Sequence, residues 1–423
     1  MKKGFYTIMS AQFFSSLADN ALFIAAVELL KPLDANGAQR AALVPMFALF
    51  YVLLAPFVGA FADALPKGRV MFIANGIKVV GCLMMLLGVH PLLSFAVVGL
   101  GAAAYSPAKY GILTELLPPS QLVKANGWIE GLTIASIILG VVLGGQLIGP
   151  TVAPWLMGLG LPGIGSAAEA AIAAMVGLYV LAAAFNLKIP RTQTALRPMG
   201  GPLDLIQDFM GCNRRLWQDK LGQISLATTT LFWGVSGNLR YIVLAWAGAA
   251  LGYTTTQASS LVGVVAIGTA LGALVASWTM KLDRAVKVIP LGIALGLTVI
   301  LLVGIRDVAL AAPFLTLLGA LGGFLVVPMN ALLQHRGHNL MGAGRSIAVQ
   351  NFNEQACILL LGFLYVGLTG IGLHAFAAIT AFGLLVAGVM EAIRRWHVRN
   401  LRRDGAEVER LLQIARDDCS SCP

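Results

Sequence analysis

Charged side chains are scarce in this sequence. Asp, Glu, Lys and Arg together make up 11% of its 423 residues, whereas soluble globular domains carry about a quarter. A soluble globular domain is therefore strongly disfavoured. Asn, Gln and aromatic residues are also too few in the apolar stretches to favour a carrier of polar sugars.

Motifs typical of enzymes and metal sites are missing as well. The sequence has no Gly-x-x-x-x-Gly-Lys-Ser/Thr loop for ATP and no serine nucleophile elbow. Its nearest approach to a metal cluster is His335 and His338, which we expect in a loop. One Cys-x-x-Cys pair, Cys419 and Cys422, ends the chain, and we interpret it as free cytosolic thiols. We therefore predict no metal, no cofactor and no enzymatic activity.

Long apolar runs fill most of the chain, and 58% of its residues are hydrophobic. About 20 apolar residues suffice to cross a bilayer as a helix. Twelve runs reach this length, at residues 5–30, 41–62, 70–89, 91–114, 125–149, 167–187, 222–250, 257–280, 285–304, 308–334, 346–369 and 371–393. They predict an all-α membrane protein of twelve transmembrane helices in two pseudo-symmetric six-helix bundles, 1–188 and 222–395. Between them, 189–221 is predicted to be a cytoplasmic linker with an amphipathic helix, and 396–423 a basic cytoplasmic tail.

The basic residues are distributed unevenly about these runs. If the N-terminus is cytoplasmic, the cytoplasmic segments hold 23 of the 29 Lys and Arg residues. The other six lie outside or within helices: Lys31, Arg40, Arg306, Lys78, Lys109 and Arg240. By the positive-inside rule we predict that both termini are cytoplasmic. The net charge of +10 is then a topology signal, and nucleic acid is disfavoured as a partner.

Parts of the first half recur in the second half. The matching segments are 106–109 with 327–330, 126–130 with 350–354, and 14–20 with 232–238. The last match makes Asn20 and Asn238 equivalent, and the others pair Lys109 with Asn330 and Glu130 with Glu354. Repeated halves in an apolar chain are typical of secondary transporters.

Several ionisable residues lie within the predicted helices, where they are functional candidates by default. Lys109 and Glu130 each fall roughly 9 Å inside the membrane, at matching depth on neighbouring helices. They can brace the hairpin or contact a substrate. Asp19 and Arg240 lie deep in the first and seventh helices, which face each other in a two-half transporter, so we predict that they pair. Lys78 either extends to the membrane surface or points inward.

The loop from Gly59 to Arg69 resembles the loop signature of the major facilitator superfamily. The resemblance implies the major facilitator fold and a cytoplasmic latch formed by Asp63, Lys67 and Arg69. Gly68 lies five residues after Asp63, two further than the family pattern has it. A solvated turn explains the two bases equally well, but not Asp63.

The hairpin sequence Tyr-Ser-Pro-Ala-Lys-Tyr-Gly-Ile-Leu, at residues 105–113, resembles the bacterial lysophospholipid transporters, a branch of that superfamily. So do Asp19-Asn20-Ala21-Leu22 and Ala348-Val349-Gln350-Asn351. The resemblance implies alternating-access movement of lysophosphatidylethanolamine across the bacterial inner membrane. On the cytoplasmic side, an acyltransferase or acyl-acyl-carrier-protein synthetase would restore the second chain. The residues it implicates are Asp19, Lys109 and Arg240.

These observations define the predicted substrate-binding and gating set: Asp19, Asn20, Lys109, Tyr110, Glu130, Asn238, Arg240, Asn330 and Glu354. We further expect the acyl chain to occupy a laterally open apolar slot beside the fifth and eighth helices. Glycines of the fifth helix, among them Gly140 and Gly144, also suit close helix packing, which we favour over an antiporter motif. The alternative function is a proton-coupled drug or metabolite antiporter of the same superfamily.

Overall fold

A computed structural model describes residues 3–33, 38–158, 160, 164–253, 255–370 and 374–417. Those residues form α-helices joined by turns and two short 3-10 helices, Lys31–Leu33 and Leu282–Val288. In chain order the helices are α1 (Lys3–Leu30), α2 (Ala38–Leu53), α3 (Ala55–Ala64), α4 (Lys67–Leu86), α5 (Pro91–Leu116), α6 (Pro119–Ile148), α7 (Ala153–Met157), α8 (Ala167–Leu187), α9 (Pro202–Gln218), α10 (Gly222–Leu251), α11 (Thr255–Thr279), α12 (Ile289–Leu302), α13 (Val308–Met341), α14 (Ala343–Gly370), α15 (Ala375–Arg403) and α16 (Gly405–Arg416).

Each of the twelve apolar runs falls on one helix or on two consecutive helices. Within the described residues, ten helices are individually long and apolar enough to cross a membrane. The consecutive helices α2 and α3, which bend by 65° at Leu54, make an eleventh if the pair is counted as one span. Pro56 follows this break in the first turn of α3, where a missing N–H costs little. The predicted seventh span lies on α10, which is 30 residues long.

One compact unit comprises Met1–Glu115, Ala135–Met210 and Gly342–Val349. Its apolar core includes Leu22 of α1, Met85 of α4 and Tyr179 of α8, all almost fully buried. Glycine lets helices approach closely here: a Cβ on Gly99 would clash with the backbone of Phe47. This packing of small residues stabilises helix contacts where lipid supplies no hydrophobic driving force.

A second compact unit comprises Leu116–Ile134, Gly211–Met341 and Gln350–Pro423. Its α11 and α13 pack through small residues, since a Cβ on Gly268 or Gly272 would clash with the backbone of Thr316 or Ala320 in α13. Two glycines of the eighth predicted span therefore serve helix packing. In the first unit the same holds for the fifth span, where Gly140 and Gly144 meet α1, so the prediction of close packing there is confirmed.

The linker and the tail each contain a helix. The helix of the linker segment is α9, which buries Leu205, Phe209, Cys212 and Leu216 and exposes Leu203, Ile206 and Met210. Phe209 thus lies on the buried side of this helix.

The tail continues α15 as far as Arg403 and then forms α16. Val408, Leu411 and Ala415 of this helix are buried. Arg416 on α16 pairs with Asp283 at 3.1 Å. The terminal Cys419 and Cys422 lie outside the described residues.

His335 and His338 are helical because α13 extends to Met341. Our expectation of a loop there was wrong. The apolar pattern of α13 ends near residue 334, whereas the backbone continues helical for almost two more turns. Among the residues that the structure describes, no group of three His, Cys, Asp or Glu side chains could hold a metal ion.

Candidate functional site

A buried ion pair joins α1 to α4 in the first unit. Lys78 Nζ lies 2.8 Å from each carboxylate oxygen of Asp19. The Lys78 side chain is 2% exposed and that of Asp19 is 18% exposed. An acid in this part of a membrane helix is costly unless paired, and Lys78 provides the pairing charge. Of the two alternatives for Lys78, the inward-facing one is therefore correct.

Neutral groups complete the surroundings of this pair. The Tyr179 hydroxyl donates to Asp19 Oδ1 at 2.7 Å, and Lys78 Nζ also donates to Ser15 Oγ at 3.0 Å. The same ammonium lies 5.1 Å from the ring centre of Tyr105 and 5.4 Å from that of Tyr179. Aromatic rings at this distance attract a desolvated cation. Both charges are thus held by direct contacts in a largely buried site.

The predicted partner of Asp19 was Arg240, whose side chain lies outside the described residues, so that pairing stays a prediction.

Asn20, the next residue of the predicted set, donates its side-chain amide hydrogen to the backbone oxygen of Ser16 at 2.8 Å. Elsewhere in this unit Lys109 Nζ lies over the ring of Tyr110, 4.2 Å from its centre.

A network of buried amides and acids lies in the second unit. Gln350 Nε2 donates to Asn330 Oδ1 at 3.0 Å and to Glu354 Oε1 at 2.8 Å. Asn126 and Gln334 exchange two amide hydrogen bonds of 2.9 and 3.0 Å. All four amide side chains are at most 5% exposed. The structure therefore brings Asn330 and Glu354 together, as members of one polar cluster between α13 and α14.

Two further members of the predicted set belong to this unit. Glu130 on α6 is 3% exposed. Asn238 donates its amide hydrogens to the backbone oxygens of Gly234, at 2.8 Å, and Ile358, at 3.0 Å. Asn238 thereby ties α10 to α14. The proposed bracing of Lys109 by Glu130 stays a prediction.

Asp63, at the end of α3, is the centre of the predicted latch. It accepts hydrogen bonds from Lys67 Nζ at 2.8 Å, from the backbone N–H of Gly344 at 2.7 Å and from that of Arg345 at 3.1 Å. The backbone groups belong to the first turn of α14, whose N-terminal partial positive charge attracts an anion. Arg69, the third predicted member, is exposed.

Sequence reasoning missed three residues of this cluster. Arg345 pairs with Asp63 at 3.3 Å and with Asp208 at 2.6 Å, and Glu115 pairs with Lys67 at 3.2 Å. The available signal was Gly342-Ala343-Gly344-Arg345, a glycine-rich start to an apolar helix followed by a base.

Apolar helices with internal repeats and buried opposite charges define a secondary membrane transporter. The family model of the Major Facilitator Superfamily matches residues 8–352. The chain belongs to this superfamily, so it is a transporter and not an enzyme. The predicted fold class, an all-α membrane protein of the major facilitator fold, is thereby confirmed.

Among individual relatives, the chain is 40% identical over 379 residues to the "Lysophospholipid transporter LplT" of Yersinia enterocolitica, covering 89% of this chain and 90% of that protein. It is 39% identical over 402 residues to the protein of that name in Klebsiella pneumoniae, covering 93% and 96%. These relatives confirm the resemblance to the bacterial lysophospholipid transporters that the hairpin sequence at residues 105–113 indicated.

Solved structures show the same fold. The human organic anion transporter MFSD10 superposes with a TM-score of 0.73 at 15% identity, over 94% of this chain and all of that one. The transporter FucP in its outward conformation gives 0.71 at 14% identity, over 93% and 98%. At such identities the likeness concerns the fold alone.

Proposed function

We propose that the protein moves lysophospholipids, chiefly lysophosphatidylethanolamine, across the bacterial inner membrane by alternating access. The observation that carries this proposal is the match of about 40% identity, over nearly the whole chain, to proteins named lysophospholipid transporters. The substrate would travel towards the cytoplasmic side. There we propose that an acyltransferase or acyl-acyl-carrier-protein synthetase restores its second chain.

The buried charges suit a zwitterionic headgroup. A phosphoethanolamine carries an ammonium and a phosphate, so its path needs at least one carboxylate and one base. We propose that Asp19, Lys109 and Arg240 line this path. In the described conformation Lys78 contacts both oxygens of Asp19. Lys78 and Tyr179 together occupy three of the roughly four acceptor sites of this carboxylate, so a substrate ammonium could bind Asp19 beside Lys78.

An apolar crevice in the second unit offers a place for the acyl chain. It has a volume of about 510 Å³ and lies against α10, α14 and α15, with Leu231 and Cys357 in its wall and Arg399 at its edge. Ligand cavities typically have such volumes. Exposing a chain to water costs about 0.8 kcal/mol per CH₂, so a lipid carrier gains by keeping the tail in apolar surroundings. We propose this crevice in addition to the slot beside the fifth and eighth spans.

The basic residues of the loops predict cytoplasmic termini, and we propose on that basis that the latch around Asp63 lies on the cytoplasmic side. We propose that its ion pairs hold one conformation closed and break in the next. Each transport cycle would then exchange the Asp63 contacts for water.

Reconstituted proteoliposomes test the proposal. Labelled lysophosphatidylethanolamine should be taken up by vesicles that hold the wild-type protein, and the variants Asp19→Asn and Arg240→Gln should take up little. A panel of soluble metabolites and drugs should not compete. If the soluble compounds are transported and the lysolipid is not, the protein is the alternative antiporter and our proposal is wrong.

A further inference from the structure

A basic cavity lies beside the tail helix in the second unit. It has a volume of about 600 Å³ and is bounded by the 3-10 helix Leu282–Val288, the start of α12, the end of α15, and α16. Four bases and one acid form its charged lining: Arg284, Lys287, Arg394, Arg416 and Asp283. The cavity shares no lining residue with the crevice proposed for the acyl chain, so it is a separate candidate site.

Intramolecular ion pairs engage two of these bases. Arg394 donates to the two carboxylate oxygens of Glu391, at 2.6 and 2.8 Å. Arg416 pairs with Asp283 at 3.1 Å and with Glu409 at 3.2 Å, so the acid in the cavity wall is neutralised from α16. These two arginines shape the cavity but add little net positive charge to it.

The other two bases have no such partner. Arg284 and Lys287 are exposed, and within the described part of the chain neither forms an ion pair. A 3-10 helix has three residues per turn, so side chains three positions apart lie one above the other. Arg284 and Lys287 therefore present two positive charges side by side at one edge of the cavity. Such a pair suits a phosphate, which accepts charge-assisted hydrogen bonds from both residue types.

A buried histidine belongs to the same lining. His397 on α15 is 9% exposed, and its Nδ1 is buried without a hydrogen-bond partner among the described residues. Buried polar atoms are normally satisfied by the protein, by water or by a ligand. The imidazole carries at least one N–H in either charge state. Because His397 borders the cavity, a bound anion would supply an acceptor for a ring N–H.

The cavity lies where two candidate membrane spans end. The span Leu282–Leu302 begins with the 3-10 helix, and the apolar part of Ala375–Arg403 gives way to bases from Arg394 onward. The two spans pack closely, since a Cβ on Gly296 would clash with the backbone of Ala387. Phospholipid headgroups lie at the ends of membrane spans, and basic pockets between helices bind them.

We propose that this cavity binds the phosphate of an anionic phospholipid from the surrounding bilayer, held by Arg284, Lys287 and His397. Leu301 of α12 and Leu384 of α15 are 64% and 58% exposed, so these spans also offer apolar surface for the acyl chains. The bound lipid would join the 3-10 helix to α15 and thereby stabilise the second unit. This site does not depend on which lipid is transported.

Native mass spectrometry of the purified full-length protein tests the site. With equimolar phosphatidylglycerol and phosphatidylcholine in the detergent, the wild type should retain mainly phosphatidylglycerol. Lys287→Gln should bind it about fivefold more weakly, and Arg284→Gln/Lys287→Gln more than about tenfold, because each base near an anionic lipid contributes a factor of about five. The matched control, Lys281→Gln/Arg403→Gln, removes the same charge from exposed positions outside the cavity and should bind nearly as the wild type does.

Thermal denaturation in the same detergent separates binding from folding. Phosphatidylglycerol should raise the melting temperature of the wild type and of the control, but not that of Arg284→Gln/Lys287→Gln, and without lipid all three should melt alike. Equal retention of the two lipids by the wild type, or equal weakening in the two double variants, would overturn the proposal. Stabilisation by inorganic phosphate as large as that by phosphatidylglycerol would also overturn it, because the site would then take a free anion. Neither experiment measures lysolipid transport, so a failure of transport would count against the proposed function alone.

Discussion

Breaking the pair of Asp19 and Lys78 should destabilise the first unit. In Lys78→Met the carboxylate keeps the Tyr179 hydroxyl at 2.7 Å but loses both contacts of 2.8 Å to the ammonium. Removing one partner of a buried ion pair costs about 3–5 kcal/mol. Because Asp19 retains 18% exposure, we expect a loss near the lower end, about 3 kcal/mol.

The double variant Asp19→Asn/Lys78→Met separates this pairing from other effects of the substitutions. It places neutral side chains of similar size in the same packing, so most of the lost stability should return. A double-mutant cycle should therefore give a coupling energy of about 2–3 kcal/mol. Transport should not return, because the double variant has no carboxylate for the headgroup.

Equilibrium unfolding in detergent, followed by reconstitution for transport, would measure both quantities. The matched control is Glu28→Gln, which breaks the pair of Glu28 and Lys31 at the end of the same helix. That pair is exposed, so its loss should cost no more than about 1 kcal/mol. If Lys78→Met is no more destabilising than this control, or the cycle gives no coupling, our account of the buried pair is wrong.

Three other predictions concern the latch, the crevice and the topology. Asp63→Asn loses the charge that holds Lys67 and the start of α14, so cysteine crosslinking between α3 and α14 should become slower. Ala227→Trp fills the crevice in the second unit and should reduce lysolipid uptake several-fold. Leu297→Trp, exposed on α12 and outside the crevice, should not, and equal uptake by the two variants would contradict the proposed acyl-chain site. A cysteine at the exposed linker position Thr194 should react with an impermeant thiol reagent only after the inner face is opened; reaction in sealed cells would reverse the topology.

The helices could be predicted from the sequence because a membrane requires long apolar runs, and their length is visible residue by residue. The break between α2 and α3 was not predicted, although Pro56 was the available signal. A run of suitable length and composition does not reveal a 65° bend, which depends on how the two pieces pack.

The candidate site could be predicted only as a set of residues. Burial of a charge in an apolar run identified Asp19, but the choice of Lys78 as its neighbour depends on how α1 and α4 are rotated about their axes. Repeat matching pointed to Glu354 and Asn330. It could not show that Gln350 bridges them, because that contact depends on side-chain conformation.

The most direct test of the transport proposal compares three related compounds in one set of proteoliposomes. Lysophosphatidylethanolamine has the headgroup and one acyl chain, phosphatidylethanolamine has the headgroup and two, and glycerophosphoethanolamine has the headgroup alone. We predict that the protein moves the first rapidly and the other two poorly, whatever the length of the single chain. Transport of glycerophosphoethanolamine as fast as the lysolipid would contradict this account, because the acyl chain would then play no part in recognition.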